Sequence, residues 1–390
     1  MAETLVGAIG AILSVQRWNV MPRIDTWTEA ENIAYTTHVV YAVGRTLGFA
    51  PDVLVHALNR SLLKSLNKHV LSDIAVNTRR ALRAVNPGIW KTIIDEVAGA
   101  TSELFPKDDA KFARDYMTLD GDYTITGDSS GSVKGSIEEL VRYAQLKVAL
   151  EECRTNMVAY PGNAEYGAKS KNIQRRINRL RSRTTLEANY SNLSGYLEHI
   201  KNLKYVRRWN TTSRFIDTSV LAHTFIVSFL ALYFSRMHRK VIKPRRAGGA
   251  SYPAILRALF HDVPESLTGD IITPVKTIME RKSKGVVKKL EERMLKDLRE
   301  AMPRQMKDDV ATLNLLSDLG SSNPFSVESL VKDCDRLGIV LECVFELAAG
   351  RLDKDMGRVY SGYLEKLQTS EWSGVREFCT QIHLEYPRPI

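Results

Sequence analysis

The sequence predicts an all-α protein built from two related helical halves, and three observations carry that reading. Apolar residues recur at three- and four-residue spacing over 138–158, 219–238, 285–301 and 327–349, the period of a helix that buries one face. Alternating, strand-like runs are scarce; the best, Asp122 to Thr126, lies in a Gly/Asp/Ser-rich stretch, roughly 118–136, that reads as an exposed excursion. Short sequence pairs also return in the same order in both halves, the mark of an internal repeat.

Taken in chain order, Arg17-Trp18-Asn19 returns as Arg208-Trp209-Asn210, and Ile24-Asp25-Thr26 as Ile216-Asp217-Thr218. Following that register, Ala30 falls on Ala222, Tyr41 on Tyr233, Ala57-Leu58 on Ala258-Leu259, and Ser65-Leu66 on Ser266-Leu267. The helix 138–153 then lies over 329–344. The expected division is a first half at 1–165, a basic linker at 166–190 and a second half at 191–390. The linker is marked by Lys169, Lys171, Arg175, Arg176, Arg179, Arg181 and Arg183, with no acidic residue among them. Arg239, Lys240, Lys243, Arg245 and Arg246 form a second cluster. Both are read as solvated surface in preference to nucleic-acid contacts. Asn323-Pro324 closes a turn before a helix starting near Ser326, where Ser326 and Ser329 are candidate caps.

Composition narrows the class. With 390 residues, 44% hydrophobic and 26% charged, the chain has ordinary globular values, which exclude wholesale disorder, collagen and a disulfide scaffold. Cys153, Cys334, Cys343 and Cys379 contain no CxxC pair, which argues against a zinc ribbon or redox dithiol and suits a reducing compartment. The longest apolar run, Val220 to Phe234, contains His223 and is too short to span a bilayer; no basic stretch precedes the apolar N-terminus. The expectation is a cytoplasmic protein with no membrane partner. A net charge of +10 favours polyanions or phosphorylated small molecules.

The chemistry concentrates in RALFHDVPESLTGDIITPVK, residues 257–276. His261-Asp262 ends an apolar helical stretch, so both side chains can project from a helix end. Glu265 lies one turn on from Asp262, and Asp270 follows a glycine that permits a sharp turn. His223 interrupts one apolar helix and Asp335 another. Taken singly, each has a plain reading as a satisfied core histidine or a helix-surface acid. Burying an imidazole and a carboxylate in apolar helices costs free energy unless each finds a partner, and a shared divalent cation supplies one for all four. Two imidazoles and two carboxylates form a mixed N/O shell suited to manganese, cobalt, iron, zinc or magnesium.

The order His … His-Asp … Asp is the signature of the HD-domain metal-dependent phosphohydrolases. HDxxExLTGDxxTPVK, as it stands from His261 to Lys276, resembles the bacterial YfbR-like 5′-deoxynucleotidases, and the likeness covers about 196–350. It implies tandem HD-type helical domains, with the second catalytic. It implies a divalent metal held by His223, His261, Asp262 and Asp335. Glu265 and Asp270 would handle protons, Arg208 would grip the phosphate, Trp209 would pack on the sugar, and Thr273 and Lys276 would be further substrate contacts. The implied reaction is hydrolysis of deoxynucleoside 5′-monophosphates. The runner-up is a deoxynucleoside triphosphate hydrolase of the same superfamily, and a non-enzymatic nucleotide or nucleic-acid binding module is the alternative of another class. No GYP signature follows the motif, which disfavours a cyclic-dinucleotide phosphodiesterase.

One departure stands out: family members usually carry a Glu before the first metal His, and here that position is Ala222. In the first half, the repeat register puts Glu31 at His223, Arg60-Ser61 at His261-Asp262, Lys64 at Glu265 and Ala144 at Asp335, so the half reads as a degenerate pseudo-domain. Because the family's enzymes are homodimers, its simplest role is a fused internal partner, making the chain a monomeric pseudo-dimer, with a homo-oligomer as the other arrangement. A regulatory nucleotide pocket is the alternative, since Arg17-Trp18 persists beside Arg60 and Lys64.

Overall fold

The computed structural model of the chain describes residues 4–118, 131–209, 211–242, 249–269, 273–316, 323–350 and 354–387. Helices account for 73% of the described residues. Among the described residues the strand-like pairings are two isolated antiparallel bridges, Gln16 with Thr28 and Arg207 with Ser219. The hairpin expected at Asp122–Thr126 lies outside the described residues. The Gly131–Ala159 helix already covers 131–136, so the exposed excursion ends earlier than the composition suggested.

Two compact units divide the chain. One comprises Met1–Gly44 with Val53–Ala188, the other Arg45–Asp52 with Asn189–Ile390. The segment expected as a basic linker is helical, Ala164–Asn178 and Arg183–Ser191; the first of these helices packs within the first unit on the Gly131–Ala159 helix, and the boundary between the units falls inside the second. Its cations hid an apolar face: Tyr166 and Ile177 are fully buried, and Ile173 nearly so. The basic residues occupy the other side of an ordinary amphipathic helix.

In the second unit, helices Val220–Met237, Ser251–Phe260 and Val327–Ala348 pack on one another. Ser219 starts the first of these, its hydroxyl accepting from the Ala222 N–H at 3.1 Å. Ser326 starts the last, accepting from the Ser329 N–H at 3.1 Å. The Val220–Met237 helix runs a turn further than the apolar run. By length and composition it meets the criterion for a membrane span, yet 83% of it is buried inside the unit. A helix surrounded by other helices is apolar on every side, and His223 in its first turn is fully buried.

The first unit has matching internal features. The Arg17 N–H donates to Trp27 O and the Glu29 N–H to Val15 O; the Arg208 N–H donates to Thr218 O and the Val220 N–H to Val206 O. The tryptophans after the two arginines both adopt the left-handed region, with φ of 57° at Trp18 and 60° at Trp209. Two four-residue helices, Lys68–Leu71 and Glu265–Thr268, end on positive-φ residues, Ser72 and Gly269, whose N–H groups donate to Lys68 O and Glu265 O. Cys153 and Cys343 each donate to a carbonyl thirteen residues on, of Tyr166 and Met356.

These bonds set a register that differs from the one read off sequence identity. Asn32, not Glu31, matches His223, because Thr28 and Ser219 cap the two helices at the same place. Lys64-Ser65 matches His261-Asp262 and Lys68 matches Glu265, in place of Arg60-Ser61 and Lys64. Gln145 matches Asp335 in place of Ala144, fixed by the cysteine pair. The helices between differ in length by a few residues, and common dipeptides such as Ala-Leu and Ser-Leu match readily in the wrong frame.

Candidate active site

The second unit brings the four expected metal ligands together. His223 Nε2 lies 3.0 Å from Asp335 Oδ1 and 4.0 Å from Asp262 Oδ2. His261 Nε2 lies 3.1 Å from Asp262 Oδ2 and 3.8 Å from Asp335 Oδ1. His223, His261 and Asp335 alone already satisfy the spacing of a metal-binding cluster. Asp262 stands beside them, drawn also toward Arg208 Nη1 at 3.5 Å.

Each imidazole is oriented by its other nitrogen. His223 Nδ1 lies 3.0 Å from Glu342 Oε1, and His261 Nδ1 2.6 Å from Ala258 O. Both acceptors require the proton on Nδ1, which turns the Nε2 lone pairs toward the carboxylates. His261 Nε2 and Asp262 Oδ2 are buried without a hydrogen-bond partner. Two orphaned ligand atoms facing each other, in a cluster with both tautomers fixed, fit a divalent cation. Burial disfavours a charged His261, but the Asp262 and Asp335 charges outweigh it and push its pKa up to about 9. A proton takes the place a cation would fill.

Glu342 organises the rest. It is fully buried on the Val327–Ala348 helix, two turns after Asp335. It accepts from the Trp209 indole N–H at 2.5 Å and pairs with Arg208 Nε at 3.2 Å. Burial would raise its pKa, yet Arg208, His223 and Arg214 hold it well below the usual carboxylate range. One turn on, Glu346 accepts from the Phe215 and Ile216 N–H groups at 3.0 and 2.9 Å and pairs with Arg214, whose guanidinium lies 5.8 Å from the Trp209 ring centroid. This scaffold holds Trp209 in its left-handed conformation, a strained state for a bulky residue.

Glu342, Glu346, Arg214 and Gly338 are site residues that the motif search passed over. Gly338 lies against His223: a Cβ there would come within 2.8 Å of Cε1 and 3.3 Å of Nδ1. The signals were an acid on the buried side of an apolar helix and a glycine inside it. Ala222 costs His223 nothing, because Glu342 holds the nitrogen. In the first unit Glu31 shows another use for an acid at this place: it accepts from the Thr28 N–H at 2.8 Å while Thr28 Oγ1 accepts from the Glu31 N–H, a capping box.

Glu265 opens the Glu265–Thr268 helix immediately after the ligand pair, its N–H bonded to Asp262 O. Gly269, at φ 67°, makes the turn the sequence suggested. Asp270 lies outside the described residues. Thr273 opens the Thr273–Lys282 helix and Lys276 follows within its first turns; their side chains lie outside the described part.

A helical unit whose core turns two imidazoles and two carboxylates toward one point defines a class, the HD-type metal-dependent phosphohydrolases. Within it, the family model described as 5′-deoxynucleotidase YfbR-like matches residues 195–386. A 5′-deoxynucleotidase of Photorhabdus laumondii is 31% identical over 207 residues, covering 50% of this chain and all of the relative. The 5′-deoxynucleotidase YfbR of an Escherichia coli strain is 32% identical over 164 residues, covering 40% of this chain and 75% of the relative. A 5′-deoxynucleotidase of Vibrio cholerae is 29% identical over 159 residues, covering 40% of this chain and 77% of the relative. The chain belongs to the YfbR-like 5′-deoxynucleotidase family.

Proposed function

We propose that the second unit hydrolyses deoxynucleoside 5′-monophosphates to deoxynucleosides and phosphate. The observation that carries this is the joining, through one buried carboxylate, of the ligand cluster to an Arg-Trp pair. Glu342 touches His223, Arg208 and Trp209 at once. A divalent cation held by His223, His261, Asp262 and Asp335 would polarise the phosphoryl group and favour ionisation of water near neutrality.

The remaining roles belong to side chains. Arg208 presents a guanidinium to the phosphate by a charge-assisted bond, while Glu342 fixes its direction. Trp209 presents a rigid indole to the sugar, crowding C2′ so that a hydroxyl collides where hydrogen fits. Glu265, one turn from Asp262, and Asp270 are the groups to move protons at the attacking water and the leaving 5′-oxygen. The metal's identity, the further contacts by Thr273 and Lys276, and the descent of the first unit from a copy of the second all belong to this reading. The shared left-handed tryptophans, bridges and cysteine bonds support that descent.

Phosphate release from a panel of ribo- and deoxynucleoside mono-, di- and triphosphates, with manganese, cobalt, magnesium and zinc, tests it. Deoxynucleoside monophosphates should turn over fastest. Faster release from dATP than from dAMP would favour the triphosphate hydrolase.

A further inference from the structure

The first unit contains a cavity of about 220 Å³ built from the counterparts of the active-site positions. Lys64 and Ser65 line it where the second unit has His261 and Asp262, Lys68 where it has Glu265, Asn32 for His223 and Gln145 for Asp335. Across these five positions three carboxylates and two imidazoles are replaced by two ammonium groups and three neutral polar groups. No divalent cation can be held by that set, since the hard donors have gone and ammonium charge repels it.

The phosphate-facing half of the arrangement persists. Arg17 still lines the cavity, and Trp18 has the same left-handed backbone, its indole N–H donating to Glu152 Oε2 at 2.6 Å. Carboxylates offset part of the new charge: Glu29 pairs with Arg17 at 2.9 Å and with Lys68 at 2.6 Å. Two cations are less well compensated. Lys64 meets Glu138 only at 3.4 Å, and that carboxylate is 47% exposed. Arg79 lies over the Trp90 ring at 5.7 Å, with its Nε buried and without a hydrogen-bond partner. The wall also carries acceptors, the Asn67 side-chain oxygen and Glu29 Oε1, buried without a hydrogen-bond donor, so an anion must seat on the Lys64 and Arg79 side of the cavity. Burial presses the Lys64 pKa down to about 8, with Arg60 adding to the repulsion that Glu138 opposes. A buried ammonium with one long, half-exposed ion pair and a guanidinium with an unsatisfied N–H, opposed through space by Asp73, line the same cavity and suit an anion.

We propose that this cavity binds a phosphate dianion and catalyses no hydrolysis, Lys64 and Lys68 replacing the cation and Arg79 adding a second grip. The ligand chemistry is a phosphate dianion, either free phosphate or the 5′-phosphate of a nucleotide. The proposal rests on the shared register and the cavity, and not on the activity of the second unit.

The test uses the full chain carrying Asp262→Ala, in EDTA, so that the second unit's metal site is silenced. Isothermal titration with inorganic phosphate and with dAMP, and with deoxyadenosine as the uncharged control, reads the first unit. The expected result is one saturable, salt-sensitive site for a phosphate-bearing probe and none for deoxyadenosine. Tighter binding of dAMP than of phosphate would assign the ligand to a nucleotide, and the reverse to free phosphate. Arg79→Gln, which leaves the Glu29 ion pairs intact, should weaken binding roughly tenfold, the loss of one charge-assisted bond. Lys64→Met gives an independent second reading. No saturable binding in the millimolar range overturns the proposal. So does binding that both variants leave unchanged, which would put the anion elsewhere.

Discussion

At the scale of single residues, the site turns on Glu342, which a search for metal ligands does not find. His261-Asp262 announces itself by its neighbours, and His223 and Asp335 by interrupting apolar helices. Glu342 is one more acid in a helix that carries several, and only burial shows its role. Glu342→Gln keeps the shape but leaves Arg208 with Asp262 alone and Arg214 with Glu346 alone, and losing one partner of a buried ion pair costs roughly 3–5 kcal/mol. Urea unfolding at pH 7 should show that loss. Because the folded-state pKa of Glu342 is depressed, its stabilisation is complete above its ordinary value of 4.5 and is lost as pH falls through the folded value. The gap between parent and variant should therefore close progressively in acid; a gap constant down to pH 3 would remove Glu342 from the ion-pair role. Trp209→Ala tests the neighbouring residue. Opening the space beside C2′ should raise turnover of AMP relative to dAMP, whereas Trp18→Ala should leave that ratio unchanged. The opposite pattern would place the active pocket in the first unit.

At the scale of elements, helix positions and caps were legible and the alignment of one half on the other was not. The Ser219 and Ser326 starts and the Gly269 turn follow from side-chain chemistry that acts within four residues. The match of Lys64-Ser65 to His261-Asp262 does not, because it depends on small length differences in the helices between, visible only in backbone bonds. The supposed linker misled for a related reason: its cations dominate the sequence while Tyr166, Ile173 and Ile177 decide the packing. Gly338 shows how an element serves the site. A glycine inside a helix costs about 1 kcal/mol relative to alanine, and here it makes room for the His223 ring. Gly338→Ala should gain helix stability, lose it to the collision, and weaken metal binding roughly 10–100-fold as His223 is turned from its position. Metal titration of the variant checks this; unchanged affinity would show that the ring can shift without cost. Glu265 sits at the start of the next short helix, its N–H bonded to Asp262 O. Glu265→Ala should retain metal and substrate while losing about 10²–10⁴-fold in turnover, the usual effect of a missing proton-transfer group. A rise in KM with kcat intact would exclude it from proton transfer.

At the scale of the whole molecule, the second unit clusters imidazoles and a carboxylate while the first unit's cavity is lined by lysines and arginines, and metal ions should distinguish them. A cation that binds the folded chain and not the unfolded one stabilises it by mass action, by about 2.7 kcal/mol at a hundredfold excess over Kd. Among the described residues, the clustered donors lie in the second unit. The cluster is also protonated in the cation's absence, with His261 raised to about 9, so binding must displace that proton. Metal affinity should then rise with pH, by roughly tenfold per unit, until it levels near that value. Thermal unfolding with and without manganese, from pH 6 to pH 9, should show a stabilisation that grows with pH in the parent chain. Asp262→Ala should abolish it by removing a donor beside the two imidazoles. Arg79→Gln should leave it whole, because that residue belongs to the cavity that has no metal donors. A manganese effect lost in Arg79→Gln and kept in Asp262→Ala would reverse the assignment of the two units, placing the metal where the lysines are.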